Sequence, residues 1–276
     1  MLRSVKDLEG YAVGASDGTI GHIKDFYFDD EAWVVRYLIV DAGAWLASRM
    51  VLVSPVAIGR AEWADRLLHV QMTKDQVRNS PDVDTNKPVS RQHEMDYADY
   101  YGYPYYWGGA GYWGGGMYPN LMMPGYGGYG SPRAIRSEEQ SAYARSEEGR
   151  RLTEDPHLRS CRAVMKYDVH ASDGDIGHVD GFLVDDSTWA VRYLVVNTSN
   201  WWLGHRVLVA PQWIEDVDWF ASKVSVALTR QAIKDAPAYD PERAMDRGLE
   251  VGLYGHYGRP GYWAEDARRW TQTSRI

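Results

Sequence analysis

The sequence predicts a mainly β protein: two tandem small β-barrels, each followed by a short helical and aromatic extension. Three observations predict it. The chain matches itself at one fixed offset, its apolar runs are short and rich in β-branched and aromatic residues, and turn signals separate those runs at close intervals. The length of 276 residues exceeds what one small core usually absorbs, and 45% hydrophobic with 25% charged residues is a globular balance.

The repeat sets the organisation. Leu2-Arg3-Ser4 returns as Leu158-Arg159-Ser160, Ala15-Ser16-Asp17-Gly18 as Ala171-Ser172-Asp173-Gly174, and Ile20-Gly21-His22 as Ile176-Gly177-His178, all at an offset of 156. Asp29-Asp30, Arg36-Tyr37-Leu38, Val51-Leu52-Val53, Trp63 and Pro81 recur at the same offset without a gap. In all, 39 of the 106 positions from 2 to 107 are identical to their partners. The expected domains are therefore residues 1–107, a linker of residues 108–157, residues 158–263, and a tail of residues 264–276.

Within a copy, residues 8–15 and 20–28 flank Ser16-Asp17-Gly18, and an Asp-Gly pair between apolar runs signals a hairpin because it tolerates positive φ. The polar turn Asp29-Asp30-Glu31-Ala32 leads into a strand over 33–40, and strands over 50–53 and 67–72 follow. Five or six such strands in about 70 residues suit a closed or partly closed barrel, because closure hides short edges. The period then changes. Residues 73–79 predict a helix capped by Thr73, with Gln76 completing a capping box, and residues 89–100 predict a second, stopped by Gly102 and Pro104.

The linker opens with a Gly, Tyr, Trp, Met and Pro tract through residue 130 that carries hardly a charge, and continues with charged residues 131–156, where Arg-Ser-Glu-Glu occurs twice. A flexible chain of this length spans about 40 Å, enough for the two barrels to pair within one chain like a tethered two-fold dimer.

Taken together, Ser-Asp-Gly-x-Ile-Gly-His, Asp-Asp, Val-Arg-Tyr-Leu, Trp45 or Trp201, and Val-Leu-Val-x-Pro resemble the PRC-barrel family. That family is named for the cytoplasmic domain of the photosynthetic reaction centre H subunit and is also similar to a domain of a ribosome-maturation factor. The resemblance covers about 80 residues of each copy. It implies a small bacterial barrel used for assembly and protein contacts rather than chemistry.

Composition narrows the function classes. Thirty Lys and Arg against 38 Asp and Glu give a net charge of -8, the wrong sign for bulk nucleic-acid binding. The single cysteine, Cys161, excludes an intrachain disulfide and a Cys-based zinc site, and its counterpart Val5 marks a small apolar slot. No apolar run is long enough to span a bilayer and the first residues lack a secretory h-region, so a cytoplasmic location is expected. No cofactor and no metal are expected: the repeats hold neither a Walker-type loop nor a strand-linked dinucleotide fingerprint, and Asp29-Asp30 and Asp185-Asp186 read as polar turns.

The candidate interaction surface is aromatic. Trp45, Trp201 and Trp202 stand on a loop between strands, as lids over the barrel end or as binding hot spots. Tyr101, Tyr106 and Trp107, with Tyr257, Tyr262 and Trp263, recur at fixed register after each barrel, either to contact a partner or to cover the barrel. Arg36 and Arg192 interrupt apolar strands at equivalent places and call for a carboxylate or an aromatic ring. The expected function is a non-enzymatic interaction or assembly module, reaction-centre-like by resemblance, with a protein partner. The alternative is ligand binding or hydrolysis at the barrel mouth, with His22 and His178 as bases oriented by Asp17 and Asp173.

Overall fold

A computed structural model describes residues 1–83, 89–107, 111–122, 157–198 and 205–273. The chain divides into two compact units: Met1–Leu8 with Ser160–Asp266, and Glu9–Arg159 with Ala267–Ile276.

The second of these units holds most of the first copy. After β1 (Leu2–Ser4) and the one-turn α1 (Val5–Leu8), the first copy runs β2 (Ala12–Ala15), β3 (Gly18–Asp29), β4 (Val34–Asp41), β5 (Met50–Val53), β6 (Ile58–Glu62) and β7 (Leu67–Val70), then α2 (Lys74–Arg78) and α3 (Arg91–Tyr101). The second copy repeats the series: β8 (Leu158–Ser160), α4 (Cys161–Val164), β9 (Asp168–Ala171), β10 (Gly174–Asp185), β11 (Val191–Asn197), β12 (Arg206–Val209), β13 (Ile214–Asp218), β14 (Lys223–Val226), α5 (Arg230–Lys234), α6 (Arg247–His256) and α7 (Tyr262–Thr273).

Each copy builds one seven-stranded sheet of the same topology. The strand paths are β5-β4-β3-β2-β7-β6 and β12-β11-β10-β9-β14-β13, antiparallel except for the parallel pairs β2 with β7 and β9 with β14. Both paths are open, because the strands at their ends follow one another in sequence through a 3-10 turn and do not hydrogen-bond. The fold is thus mainly β, and the paths stop short of a hydrogen-bonded closed barrel.

The seventh strand of each sheet comes from the other copy. β1 pairs antiparallel with β10, placing Leu2 opposite Asp185, Arg3 opposite Val184 and Ser4 opposite Leu183, while β8 pairs with β3. The long strand β10 makes this geometrically simple. β11 covers one edge from His178 to Val184, β9 covers the start of the other, and β1 takes the end of that edge, from Leu183 to Asp185. The sequence repeats and the compact units are therefore different sets of residues.

Local chemistry explains the remaining features. Gly18 sits at φ +140° in the first hairpin, a value that side chains resist, and Asp17 beside it accepts the Lys74 amide at 2.8 Å. Thr73 and Gln76 form the reciprocal capping box at α2. At Gly21 a Cβ would stand 1.9 Å from the Asp41 carbonyl, and Gly177 meets Asn197 identically, so at both places the backbones are too close for any side chain. Trp33 and Trp189 take left-handed φ values of 54° and 61°, an uncommon strain for so bulky a residue that is repeated at one turn of each copy. The core is aliphatic with a few rings, including Ile20, Ile23, Phe26, Leu38 and Leu68 in one sheet and Ile176, Phe182, Leu194 and Val224 in the other. Val5 and Cys161, at equivalent positions, are both fully buried.

Candidate functional site

Buried charge concentrates at one place in each unit. In the first copy Arg36, 3% exposed on β4, puts Nη2 3.0 Å and Nε 3.3 Å from Asp29 Oδ2 and donates through Nη1 to the Tyr112 carbonyl. Its guanidinium lies over the Tyr106 ring at 3.8 Å and faces Trp113 at 5.0 Å, so the expected carboxylate and the expected ring are both present. Asp29 also accepts the amides of Glu31 and Ala32 at 3.0 and 3.1 Å. Burial by itself would raise the Asp29 pKa, but the Arg36 charge and the Ala32 amide outweigh it and hold the carboxyl below its ordinary value.

Glu94, wholly buried on α3, completes this cluster. It faces Arg91 Nη1 at 3.2 Å and His157 Nε2 at 2.9 Å, and accepts the Tyr106 hydroxyl. Tyr106 is also 3.1 Å from His157. Burial pushes the phenols of Tyr37, Tyr97 and Tyr106 well above 10, and the charge of Glu94 adds to this for Tyr37 and Tyr106, so the hydroxyls stay protonated donors.

The second copy repeats the arrangement. Arg192 reaches Asp185 at 3.4 Å and Asp266 at 2.7 Å and lies 4.0 Å over the Tyr262 ring. Glu250 accepts the Tyr193 hydroxyl at 3.0 Å and pairs with Arg247 at 3.0 Å, while Arg247 stacks over Trp263 at 4.5 Å. Burial raises the Asp185 pKa, and the Ser187 hydroxyl and Arg192 more than reverse it. The aromatic extension is the roof over these charges in both copies. Tyr97 on α3 donates to the Leu52 carbonyl at 3.3 Å, accepts the Ser54 amide at 3.0 Å and meets Tyr37 edge-on, and Trp213 packs against Tyr254 and Tyr257.

The residues singled out in the sequence take several different roles. Tyr106 and Tyr262 are buried against their own copy's arginine, and Trp107 stacks on Tyr105 and takes Arg91 over its face. Tyr101 is half-buried, stacked on Tyr103, with its phenol pushed by burial up to about 12, and Tyr257 and Trp263 are half-buried among rings. Trp45 is half-buried and donates its indole N–H to the Ile20 carbonyl, with Lys74 4.3 Å over its ring. Trp201 and Trp202 lie outside the described residues. His22 is exposed and no contact joins it to Asp17, whose carboxylate instead holds the Lys74 amide; Asp173 holds the Arg230 amide at 2.7 Å in the same way. Sequence reasoning missed Glu94, Arg91, Glu250 and Arg247. The signal was present, because Arg-x-x-Glu recurs there at the offset of 156.

Chemically, this cluster joins things together. Its carboxylates are paired with arginines, its hydroxyls are protonated, and its rings cover it, so it ties strand, helix and extension into one piece and, through His157, reaches the residue preceding the exchanged strand β8. Residues 2–76 match the family described as the PRC-barrel domain. The chain contains a PRC-barrel domain. A protein of Deinococcus radiodurans described as "Uncharacterized protein" is 32% identical over 81 residues, which is 29% of this chain and 29% of the relative's own length. The charge cluster lies partly inside the matched PRC-barrel domain, through Asp29 and Arg36, and partly beyond it, through Glu94 and Tyr106. Among the described residues, no helix is long and apolar enough to cross a membrane.

Proposed function

We propose that this chain is a non-enzymatic interaction or assembly module built on two PRC-type barrels, working in the cytoplasm on a protein partner. The observation that carries this reading is the duplicated charge cluster sealed under its own aromatic extension. A reactive site leaves a titratable group facing a space where substrate can sit, whereas here the ionisable groups that recur in both copies face one another. The competing base-and-carboxylate reading at the barrel mouth loses support from Asp17 and Asp173, each of which accepts a helix amide through Oδ1.

With the extension's rings turned inward, surface contact passes to the aromatics left outside: Tyr100, Tyr118 and above all Phe220, fully exposed at the tip of the β13–β14 hairpin. The test is affinity isolation of the intact chain with mass spectrometry and reciprocal capture, beside a panel of ester, phosphate and glycoside substrates. A parallel isolation uses Phe220→Ser and a deletion of residues 123–130, chosen because Tyr112 and Trp113 belong to the roof over Arg36. A stable partner and no turnover support the reading. Turnover that disappears in His22→Ala with His178→Ala replaces it with the hydrolytic one.

A further inference from the structure

The exchanged strands define a site of their own. Each is the tripeptide Leu-Arg-Ser, and each is seated on the same two features. In one seat the Asp30 amide donates to the His157 carbonyl at 2.9 Å and Arg159 Nε lies 2.7 Å from Asp30 Oδ2. In the other, the Asp186 amide donates to the Met1 carbonyl at 3.0 Å, and Asp186 takes Arg3 Nε at 2.9 Å together with the Met1 amino group. The seat therefore recognises an extended backbone, through the sheet edge that the donor strand pairs, and one arginine two residues after the paired carbonyl.

We infer that this edge is a donor-strand site whose occupant, besides the chain's own strand, is the same strand of a second copy of this chain. Both donors carry the same three residues and both acceptors carry the same Asp-Asp pair, so nothing within a seat distinguishes a donor on the same chain from one on another. Only the covalent tether favours the internal donor, through the effective concentration it confers. A seat whose own strand has left presents bare N–H and C=O groups, the feature by which sheets recruit further strands. Exchange between chains costs no contact, since every bond broken in one chain reforms in the pair. This goes beyond the assembly reading and does not depend on it, because a catalytic chain with these seats would exchange strands equally.

Charge reversal across one seat tests it. Arg159→Asp alone leaves two carboxylates facing each other, and Asp30→Arg alone leaves two guanidiniums. In a mixture, the native Asp30 of the first variant meets the native Arg159 of the second, and the two introduced side chains, opposite in charge, meet in the reciprocal seat. Full-length chains of the two variants are unfolded and refolded separately and as an equimolar mixture, then read by native mass spectrometry and light scattering. The expected result is a complex of one copy of each variant, at twice 31.4 kDa, in the mixture only. A chain carrying both reversals is expected to return to the single-chain mass. A mixture that yields only the species each variant gives alone, soluble or aggregated, overturns the inference. A second measurement uses the unmodified sequence: isotopically light and heavy chains refolded together give mixed-label dimers whose share rises with concentration, and mixed dimers absent at every concentration overturn it too.

Discussion

Glu94→Ala takes the acceptor out of the buried cluster, and its cost follows from what is stranded. Three groups lose their contact with the carboxylate and keep only weaker ones among themselves: Arg91 at 3.2 Å, His157 at 2.9 Å and the Tyr106 hydroxyl. Tyr106 is 8% exposed and His157 12%, so neither regains water without opening the roof. Removing one member of a buried pair costs about 3–5 kcal/mol, and that is the expected loss of unfolding free energy. The same change in the other copy is milder. Arg247 is 54% exposed and returns to solvent, leaving the Tyr193 and Tyr262 hydroxyls to lose the carboxylate, at about 1–3 kcal/mol. Urea unfolding of the full chain followed by circular dichroism and tryptophan fluorescence gives both numbers. A cycle with Tyr106→Phe is expected to show coupling of about 0.5–3 kcal/mol. A loss under about 1 kcal/mol for Glu94→Ala, or a greater loss for Glu250→Ala, refutes the argument that burial of the stranded groups sets the cost.

Gly21→Ala and Gly177→Ala drive a methyl group to 1.9 Å from a carbonyl oxygen, and each is expected to cost at least about 3 kcal/mol, the upper end for overpacking, with Gly177 the worse because its φ is +141°; thermal unfolding that is unchanged in either variant contradicts the close approach. The acid limb of stability carries a definite sign. The Asp29 and Asp185 carboxyls are held below their unfolded value of about 3.9, so their contribution is complete above that pH and is lost as pH falls through the lower folded values. Burial raises Asp30, whose contribution runs the other way, present below the unfolded value and lost as pH rises through the folded one. Asp29→Asn is therefore expected to flatten the loss of urea midpoint below about pH 4, and Asp30→Asn to leave it in place. His22→Ala, at an exposed hairpin position, is expected to change stability by less than about 0.5 kcal/mol, and a larger loss in a melt contradicts a surface role.

Wherever a local rule governs, the sequence was readable. Thr73 and Gln76 form the capping box they spell, the Asp-Gly hairpins fall at Asp17 and Asp173, and the strand at 50–53 has the bounds its apolar run suggests. The span 8–15 is too long for the first hairpin strand, since it begins inside the turn of α1 and the strand proper is Ala12–Ala15. β6 escaped because Ile58–Glu62 holds Gly59, Arg60 and Glu62 and shows no apolar run. Arg36 announced its need for a carboxylate and a ring, but its carboxylate lies seven residues back and its rings about 70 residues on, distances over which pattern gives no guidance. The strand exchange was illegible for a sharper reason. Leu2-Arg3-Ser4 and Leu158-Arg159-Ser160 are identical, so every rule that lets one fit β3 lets the other fit it as well. The charged stretch of residues 131–156, whose pattern is compatible with a surface helix, lies outside the described residues.

The reciprocal lending of strands bears on how such a chain is born. A ribosome releases the first copy while residue 158 is still about 50 residues from being made, and at roughly 5–20 residues per second that interval lasts several seconds. Through it the nascent sheet around β3 stands one strand short, and Leu2–Ser4 is the nearest substitute until β10 emerges to claim it. A message broken off before residue 158 accordingly leaves even its finished half without a full complement of strands, and the opening segment of the second copy is what brings the first to maturity.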